Sequence, residues 1–299
     1  MLFSIFITIP TIVSYSQDVD EIISDNPPWI LYKRGLFEYR NREFGTALRY
    51  FRGALRKKSP YPEAEYGIGL IFQEEGEYEL AIKQYKKALE HKGKLYISSL
   101  EYDILGQLAQ VYGLGEKYNR YEETLNKIID RNAYFSEHAN SNLLNRYKSI
   151  LSEEGLNKLL ILYRIEEKYP SSSVSQLGIF YYRTGRYNAA AEYLCTSVIT
   201  NLTEIIQELM VLDPEFEFET VKEVLNRSQG KYKITRYIEE SGFFMNLYYL
   251  ANSMYALQEL ESAKNLWQIV RNYNDGTWGR RAENQIRSPI MEPLLDEYK

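Results

Sequence analysis

The chain has 299 residues, 44% of them hydrophobic and 26% charged, with a formal net charge of −5; this is the make-up of a folded protein with a substantial core, and it excludes collagen-like and disordered classes. An acidic balance supplies no long-range positive field to gather nucleic acid or anionic lipid. A single cysteine, Cys195, and two histidines, His91 and His138, exclude an intrachain disulfide and a Cys/His zinc cluster, so stability must come from packing, to which 28 tyrosines contribute.

In chain order, Leu2 to Val13 form an apolar run, followed by Ser14-Tyr15-Ser16 and then the polar Gln17, Asp18, Asp20 and Glu21. The pattern predicts a signal peptide over 1–16, cut after Ser16, and an exported, periplasmic protein whose mature form has no membrane span, since the run is too short to cross a bilayer. No Lys or Arg precedes it, and the competing reading is an N-terminal strand or core helix of a cytoplasmic protein.

A period of 34 residues follows. Gly35, Phe44, Ala47, Phe51 and Ala54 recur as Gly69, Tyr78, Ala81, Tyr85 and Ala88. Within each unit the apolar residues fall at helical intervals, as in Ala81, Ile82, Tyr85, Ala88 and Leu89, with Asn41 and Gly76 at the turns and Pro60 and Pro62 between units. Each unit is therefore predicted to be a helical hairpin. Close crossing of its two helices calls for small residues, assigned as Gly35 against Ala47 and Gly69 against Ala81, with aromatic rings in the wider space beyond.

Leu108-Ala109 with Tyr112, Gly115, Tyr118 and Leu125 forms a third unit, with Tyr121 where a small residue belongs. Leu143 to Ile150 and Leu156 to Lys168, ending at Pro170, form a helical pair without the signature. The signature returns at Leu177-Gly178, Tyr181, Gly185, Tyr187 and Ala190, and again at Leu250-Ala251, Met254, Leu260, Ala263 and Trp267. Ala190 and Ala263 lie 73 residues apart where adjacent repeats would be 34 apart, so Thr203 to Ser241 is an insertion. Asp213-Pro214 is expected to start a helix through about Asn226, Gln229-Gly230 to end it, and Tyr232 to Glu240 to form the next. The alternation of Phe216 and Phe218 also suits a short strand. A last helix follows Gly276-Thr277, near Trp278 to Ile286.

Ile68-Gly69, Phe72, Gly76, Tyr78, Ala81, Tyr85 and Ala88 resemble the tetratricopeptide repeat, W-x₂-L-G-x₂-Y followed by Ala, an aromatic and Pro. The first unit departs from it at Arg34 and has Leu31 in place of Trp. The resemblance is to exported bacterial members, covers about half the chain, and implies an all-α fold. That fold would be a right-handed α-solenoid (superhelix) of helical hairpins with a helical insertion and a C-terminal capping helix. The expected division is 27–132, an array of three repeats; 133–200, the unsigned helical pair plus one repeat; 201–241, the insertion; 242–288, the last repeat and capping helix; and 289–299, a tail. No flexible linker interrupts the chain, and a mild hinge is expected near Tyr134 to Glu137.

Reaction chemistry is sparse. His91 and His138 sit at exposed helix ends, and Cys195 lies on an apolar face with Ala191, Leu194 and Val198. The pairs Glu74-Glu75, Glu122-Glu123 and Glu239-Glu240 fall on solvent-facing turns, and Gly113-Leu114-Gly115 lacks the rest of a dinucleotide fingerprint. The run Arg49, Arg52, Arg56, Lys57, Lys58 reads as a solvated face rather than a nucleic-acid site. A non-enzymatic protein with no cofactor or metal is expected.

In the family the first helix of each unit lines the concave side, so the resemblance implies that its non-core positions meet a peptide or protein partner. Those positions are Trp29, Tyr32, Leu36, Tyr39 and Arg40; Glu63, Tyr66, Leu70 and Gln73; Ile179, Tyr182 and Arg183; and Tyr248, Asn252 and Tyr255. Tyr and Arg are enriched in binding hot spots. The competing reading is that these rings only pack against neighbouring helices. Tyr32 and Leu36 replace the leading Lys and Asn of the family's carboxylate clamp, which argues against chaperone-tail partners. An interaction scaffold in the cell envelope is the first functional expectation, and a carbohydrate- or peptidoglycan-associated binding module the alternative.

Overall fold

The computed structural model describes residues 19–131, 141–165 and 171–295. The expected leader over 1–16, the hinge near Tyr134 to Glu137, and His138 lie outside the described residues. The chain divides into two compact units, one ending at Thr124 and the other beginning at Leu125. All regular elements among the described residues are helical.

In the first unit the helices follow in pairs: α1 (Pro28–Arg40) and α2 (Phe44–Lys57), α3 (Pro62–Glu74) and α4 (Tyr78–Glu90), α5 (Leu100–Leu114) and α6 (Tyr118–Ile129), the last crossing the unit boundary. The first helices touch in series, α1 on α3 and α3 on α5, as the layered stacking of hairpins requires. Residues 19–25 are helical as well and place Ile23 on α2, where an added Cβ at Gly53 would lie 2.9 Å from it. Arg49 pairs with Asp20 at 2.8 Å, and Lys57 donates to the carbonyl of Asn26 at 2.9 Å. Part of the basic run thus clamps the segment that enters the first hairpin.

Both units use one turn. After the first helix of each signed repeat, a single residue enters the left-handed region: Arg42 (φ 63°), Gly76 (78°), Glu116 (56°), Gly185 (77°) and Gln258 (68°). The N–H of the following residue reaches back to the carbonyl of Glu38, Phe72, Tyr112, Tyr181 or Met254 at 2.8–2.9 Å. This is the Schellman closure, which satisfies carbonyls that a helix end would otherwise leave open. Sequence placed turns at Asn41 and Gly76; Gly76 is itself the left-handed residue, whereas after α1 the strained residue is the one following Asn41, Arg42.

The small residues do not meet one another as expected. A Cβ on Gly35 would lie 2.5 Å from the ring of Phe51, one on Gly69 would lie 2.5 Å from that of Tyr85, and one on Gly178 would lie 2.7 Å from Leu194. The large side chain, not the alanine, rests on the glycine. Phe51 is enclosed twice, since a Cβ on Gly67 of α3 would also come within 2.5 Å of it. Ala47, Ala54, Ala81, Ala88, Ala190, Ala251 and Ala263 are all fully buried, so they still set how near the helices lie.

The second unit contains α7 (Ser141–Leu162), α8 (Ser171–Arg183), α9 (Tyr187–Leu212), α10 (Val221–Ser228), α11 (Tyr232–Glu240), α12 (Phe243–Ala256), α13 (Leu260–Tyr273) and α14 (Thr277–Arg287). α7 is broken at Gly155 (φ 85°, ψ 174°), between the two helices expected there. The hairpins α8/α9 and α12/α13 are spatial neighbours, with α8 on α12 and α9 on α12, despite the intervening residues. The insertion is accommodated by carrying α9 on to Leu212 without a break at residue 200, and by setting α10 and α11 against it. Asp213 terminates α9 rather than capping a new helix, and the chain is not helical from 214 to 219. α10 begins at Thr220, whose hydroxyl accepts from Glu223 N at 3.2 Å while Glu223 accepts from Thr220 N at 3.3 Å. That reciprocal box outcompetes the Asp-Pro start. Phe216 and Phe218 stack on each other at 5.8 Å outside any strand.

Asn246 lies at the centre of this unit, fully buried. Its Oδ1 accepts from Ser175, and its Nδ2 donates to Ser197 Oγ at 3.1 Å and Asn201 Oδ1 at 3.2 Å. Asn201 in turn donates to Tyr237 Oη at 3.2 Å. Four helices, α8, α9, α11 and α12, are registered by one polar network, to which α9 contributes Ser197 and Asn201, while the buried Thr196, Thr200 and Thr203 donate to carbonyls of their own helix.

Candidate functional site

Among the positions expected on the first-helix face, those on α1 other than Tyr32 remain at least partly open and most of the others do not. Trp29 is 47% exposed, Arg40 is exposed, and Leu36 and Tyr39 are half-buried. Phe37, which the repeat pattern does not single out, is 62% exposed. Positions 29, 33, 36, 37 and 40 share one helical stripe, so Trp29, Leu36 and Phe37 form an apolar strip carrying two cations, Lys33 and Arg40. The Lys33 ammonium sits 5.1 Å from the Trp29 ring centroid. Tyr39 donates to Glu74 at 3.4 Å and packs, tilted, against Phe44.

Deeper positions are core. Tyr32 packs on Phe51 and Tyr61, and Tyr66 on Tyr85, and burial drives the phenols of Tyr32 and Tyr66 well above their ordinary range. Tyr66 and Leu70 are buried, contrary to the groove assignment, because α3 is flanked by first helices on both sides. Glu63 and Glu65 of α3 are buried too, with structural tasks. Glu63 accepts from the N–H of Tyr96 at 2.6 Å, which anchors the linker after α4. Glu65 has the Lys87 ammonium at 3.0 Å and His91 Nδ1 at 3.5 Å. Gln73 spans from α3 to α5, donating to Gln107 Oε1 at 2.9 Å and accepting from Tyr85 Oη at 2.7 Å.

In the second unit Tyr182, Tyr248 and Asn252 are buried, Tyr255 is half-buried against Trp267, and Arg183 is exposed. Their cover is the chain itself. The segment after α14 folds back so that Glu292 N donates to Tyr182 Oη at 3.3 Å and Tyr248 Oη donates to Glu292 Oε1 at 2.6 Å. Burial raises both phenols above their ordinary range. Asn252 accepts from Trp267 Nε1 at 2.9 Å. These positions were expected to face a partner along the groove; instead the chain's own segment covers them.

Cys195 is fully buried, and burial, reinforced by Glu192, pushes its thiol up, so it is an inert packing residue. His91 caps the end of α4, its Nδ1 lying 3.0 Å from the carbonyl of Lys87 and 3.5 Å from the Glu65 carboxylate. No helix among the described residues is long and apolar enough to cross a membrane.

No family model matches the chain. It is similar to an uncharacterized protein of Treponema pallidum (strain Nichols), 22% identical over 203 residues that cover 67% of this chain and 54% of that protein. The chain thus spans about half the length of that relative. A second uncharacterized protein, from Borreliella burgdorferi (strain ATCC 35210 / DSM 4680 / CIP 102532 / B31), is 24% identical over 256 residues, covering 77% and 79% respectively. Among solved structures, the C-terminal part of a TPR repeat-containing protein from Cytophaga hutchinsonii matches with a TM-score of 0.30 and 14% identity, covering 85% of this chain and 98% of that one. Yeast Tom70 matches with a TM-score of 0.31 and 14% identity, covering 87% and 54%.

Proposed function

We propose that this chain is a non-enzymatic protein-interaction scaffold that captures a helix or peptide of a partner protein on the open face of α1. The observation that carries the reading is the strip of Trp29, Leu36 and Phe37, two of them large aromatics left about half or more exposed on a helix whose other side is packed into the core. Large apolar side chains held together in solvent mark an interaction surface, and the flanking Lys33 and Arg40 favour a partner with acidic residues beside its apolar ones. The hairpin stack behind the strip holds it rigid, which lowers the entropy lost on binding.

A photo-crosslinking residue at Trp29 or at Phe37 should give the same discrete adduct in native cells, and a probe at Lys83 should not. The adduct should fall at least several-fold with Lys33→Glu plus Arg40→Glu. An adduct pattern indifferent to probe position, or to reversal of those charges, rejects the α1 face. Export to the cell envelope belongs to the same proposal and is supported by the apolar run Leu2 to Val13. Intact-mass measurement of protein from its native host should give a species beginning at Gln17; retention of residues 1–16 rejects export.

A further inference from the structure

The segment 289–295 is held in the second unit by contacts that a merely trailing chain does not need. Gln285, 4% exposed, uses both ends of its amide on one residue: Nε2 donates to the carbonyl of Ile290 at 3.0 Å and Oε1 accepts the Ile290 N–H at 2.8 Å. Glu292 is bound by Arg281 and by Tyr248, and its own N–H by Tyr182. The Leu295 N–H donates to the carbonyl of Arg183 at 3.0 Å, and Leu294 lies against Gly185, 3.6 Å from where a Cβ would stand. Arg281 is itself fixed between rings, 4.8 Å from the Tyr248 centroid and 5.0 Å from that of Trp278.

Backbone is read at 290, 292 and 295, a carboxylate at 292 and an aliphatic side chain at 294. Ile290 and Met291 leave their side chains outward, 64% and 41% exposed. Backbone pairing supplies affinity and alternate side chains supply selectivity in extended-peptide recognition. The fit is also incomplete: a cavity of about 330 Å³ remains between the segment and α14, bordered by Asn284, Ser288 and Pro293.

We infer that this cleft is a binding site for an extended acidic segment of a partner protein, with glutamate two residues before an aliphatic side chain, and that residues 289–295 are its tethered occupant. The partner enters by displacing that occupant. The site is separate from the α1 strip and does not depend on it. A tethered occupant acts at an effective concentration on the order of 1 mM; against an intrinsic affinity on the order of 10 µM it weakens a competing peptide about 100-fold.

The test uses the full chain, native and Glu292→Lys, with a fluorescent synthetic peptide of sequence Ser288 to Leu295. Lysine facing Arg281 should release the segment, seen as faster amide exchange over 290–295, while leaving the helices intact. The peptide should bind the Glu292→Lys chain at least about 30-fold more tightly than the native chain. A peptide with Gln in place of Glu, or Arg281→Ala added to the variant, should abolish binding. Equal affinity for the two chains overturns the inference, as does absence of binding to a Glu292→Lys chain whose circular dichroism and Tm match the native. Should exchange over 290–295 stay slow in that variant, Leu294→Asp added to it is the second release, since it alters the occupant and leaves the cleft intact, and the same two outcomes decide.

Discussion

Gly35→Ala tests the packing rule that builds the hairpins. In an exposed helix, replacing Gly with Ala gains about 1 kcal/mol of propensity. At position 35 the new methyl would stand 2.5 Å from a ring carbon of Phe51, where ordinary carbon contacts lie near 3.5–4.0 Å. The ring must therefore retreat by roughly 1 Å. The ring has little room to move, because Gly67 of α3 approaches the same ring atoms, Cε1 and Cζ, just as closely, and Phe51 is fully buried. Overpacking of this kind costs about 1–3 kcal/mol, and enclosure by two helices places this one at the upper end, so the net loss should be about 2 kcal/mol. Gly106, also inside a helix of the first unit, has nothing within 4 Å of its Cβ position. Gly106→Ala should instead gain up to about 1 kcal/mol. Urea denaturation followed by circular dichroism reads both, as opposite shifts in midpoint at unchanged slope. If Gly35→Ala were as stable as the native chain or more so, the ring-on-glycine contact would not be what sets the crossing.

Three further outcomes follow from the same packing and turns. Gln258→Gly should stabilise by about 0.5–1 kcal/mol, the relief of a left-handed residue less the added freedom of glycine in the unfolded chain, whereas Gly76→Ala should destabilise by about 1 kcal/mol; thermal melting distinguishes them. Asn246→Ala leaves Ser175, Ser197 and Asn201 short of a partner and should cost about 2–4 kcal/mol, with hydrogen exchange accelerating in α9 and α12 together. Burial raises the phenols of Tyr32, Tyr61, Tyr66, Tyr85 and Tyr182 above the ordinary value near 10. Their contribution to stability is complete below that unfolded value and is lost as pH rises past it, because the unfolded chain releases these protons first. Tyrosinate absorbance should show a cooperative late step coincident with loss of helicity, and a single broad titration near pH 10 with helices intact would contradict it.

How far the sequence could be read varies along the chain. Repetition of Gly35 as Gly69 and of Phe51 as Tyr85 located the hairpins and their buried residues, because a helix that nests against others keeps the same few positions small or large in each copy. The α1 strip was half legible: Trp29, Leu36 and Arg40 were placed on the open face, while Phe37 carries no repeat signature and was missed. Tyr66, Leu70, Tyr182, Tyr248 and Asn252 were assigned to a groove and proved buried. A tyrosine on a first helix has the same local pattern whether water or a neighbouring element lies over it.

What the sequence determined by itself is local and periodic: helix against turn, the order of hairpins, and the small positions at their crossings, all written in spacing that a few adjacent residues suffice to express. The tertiary structure alone decided that Arg42, Glu116 and Gln258 take the left-handed conformation at their turns, and that Thr220 rather than Pro214 opens α10. It also decided that Glu292 lies against Arg281, Tyr248 and Tyr182. The last of these joins residues up to 110 positions apart, Tyr182 to Glu292. No periodicity links an isolated glutamate to a distant pair of phenols. Only the folded path of the chain, which turns back after α14, brings them within hydrogen-bonding reach.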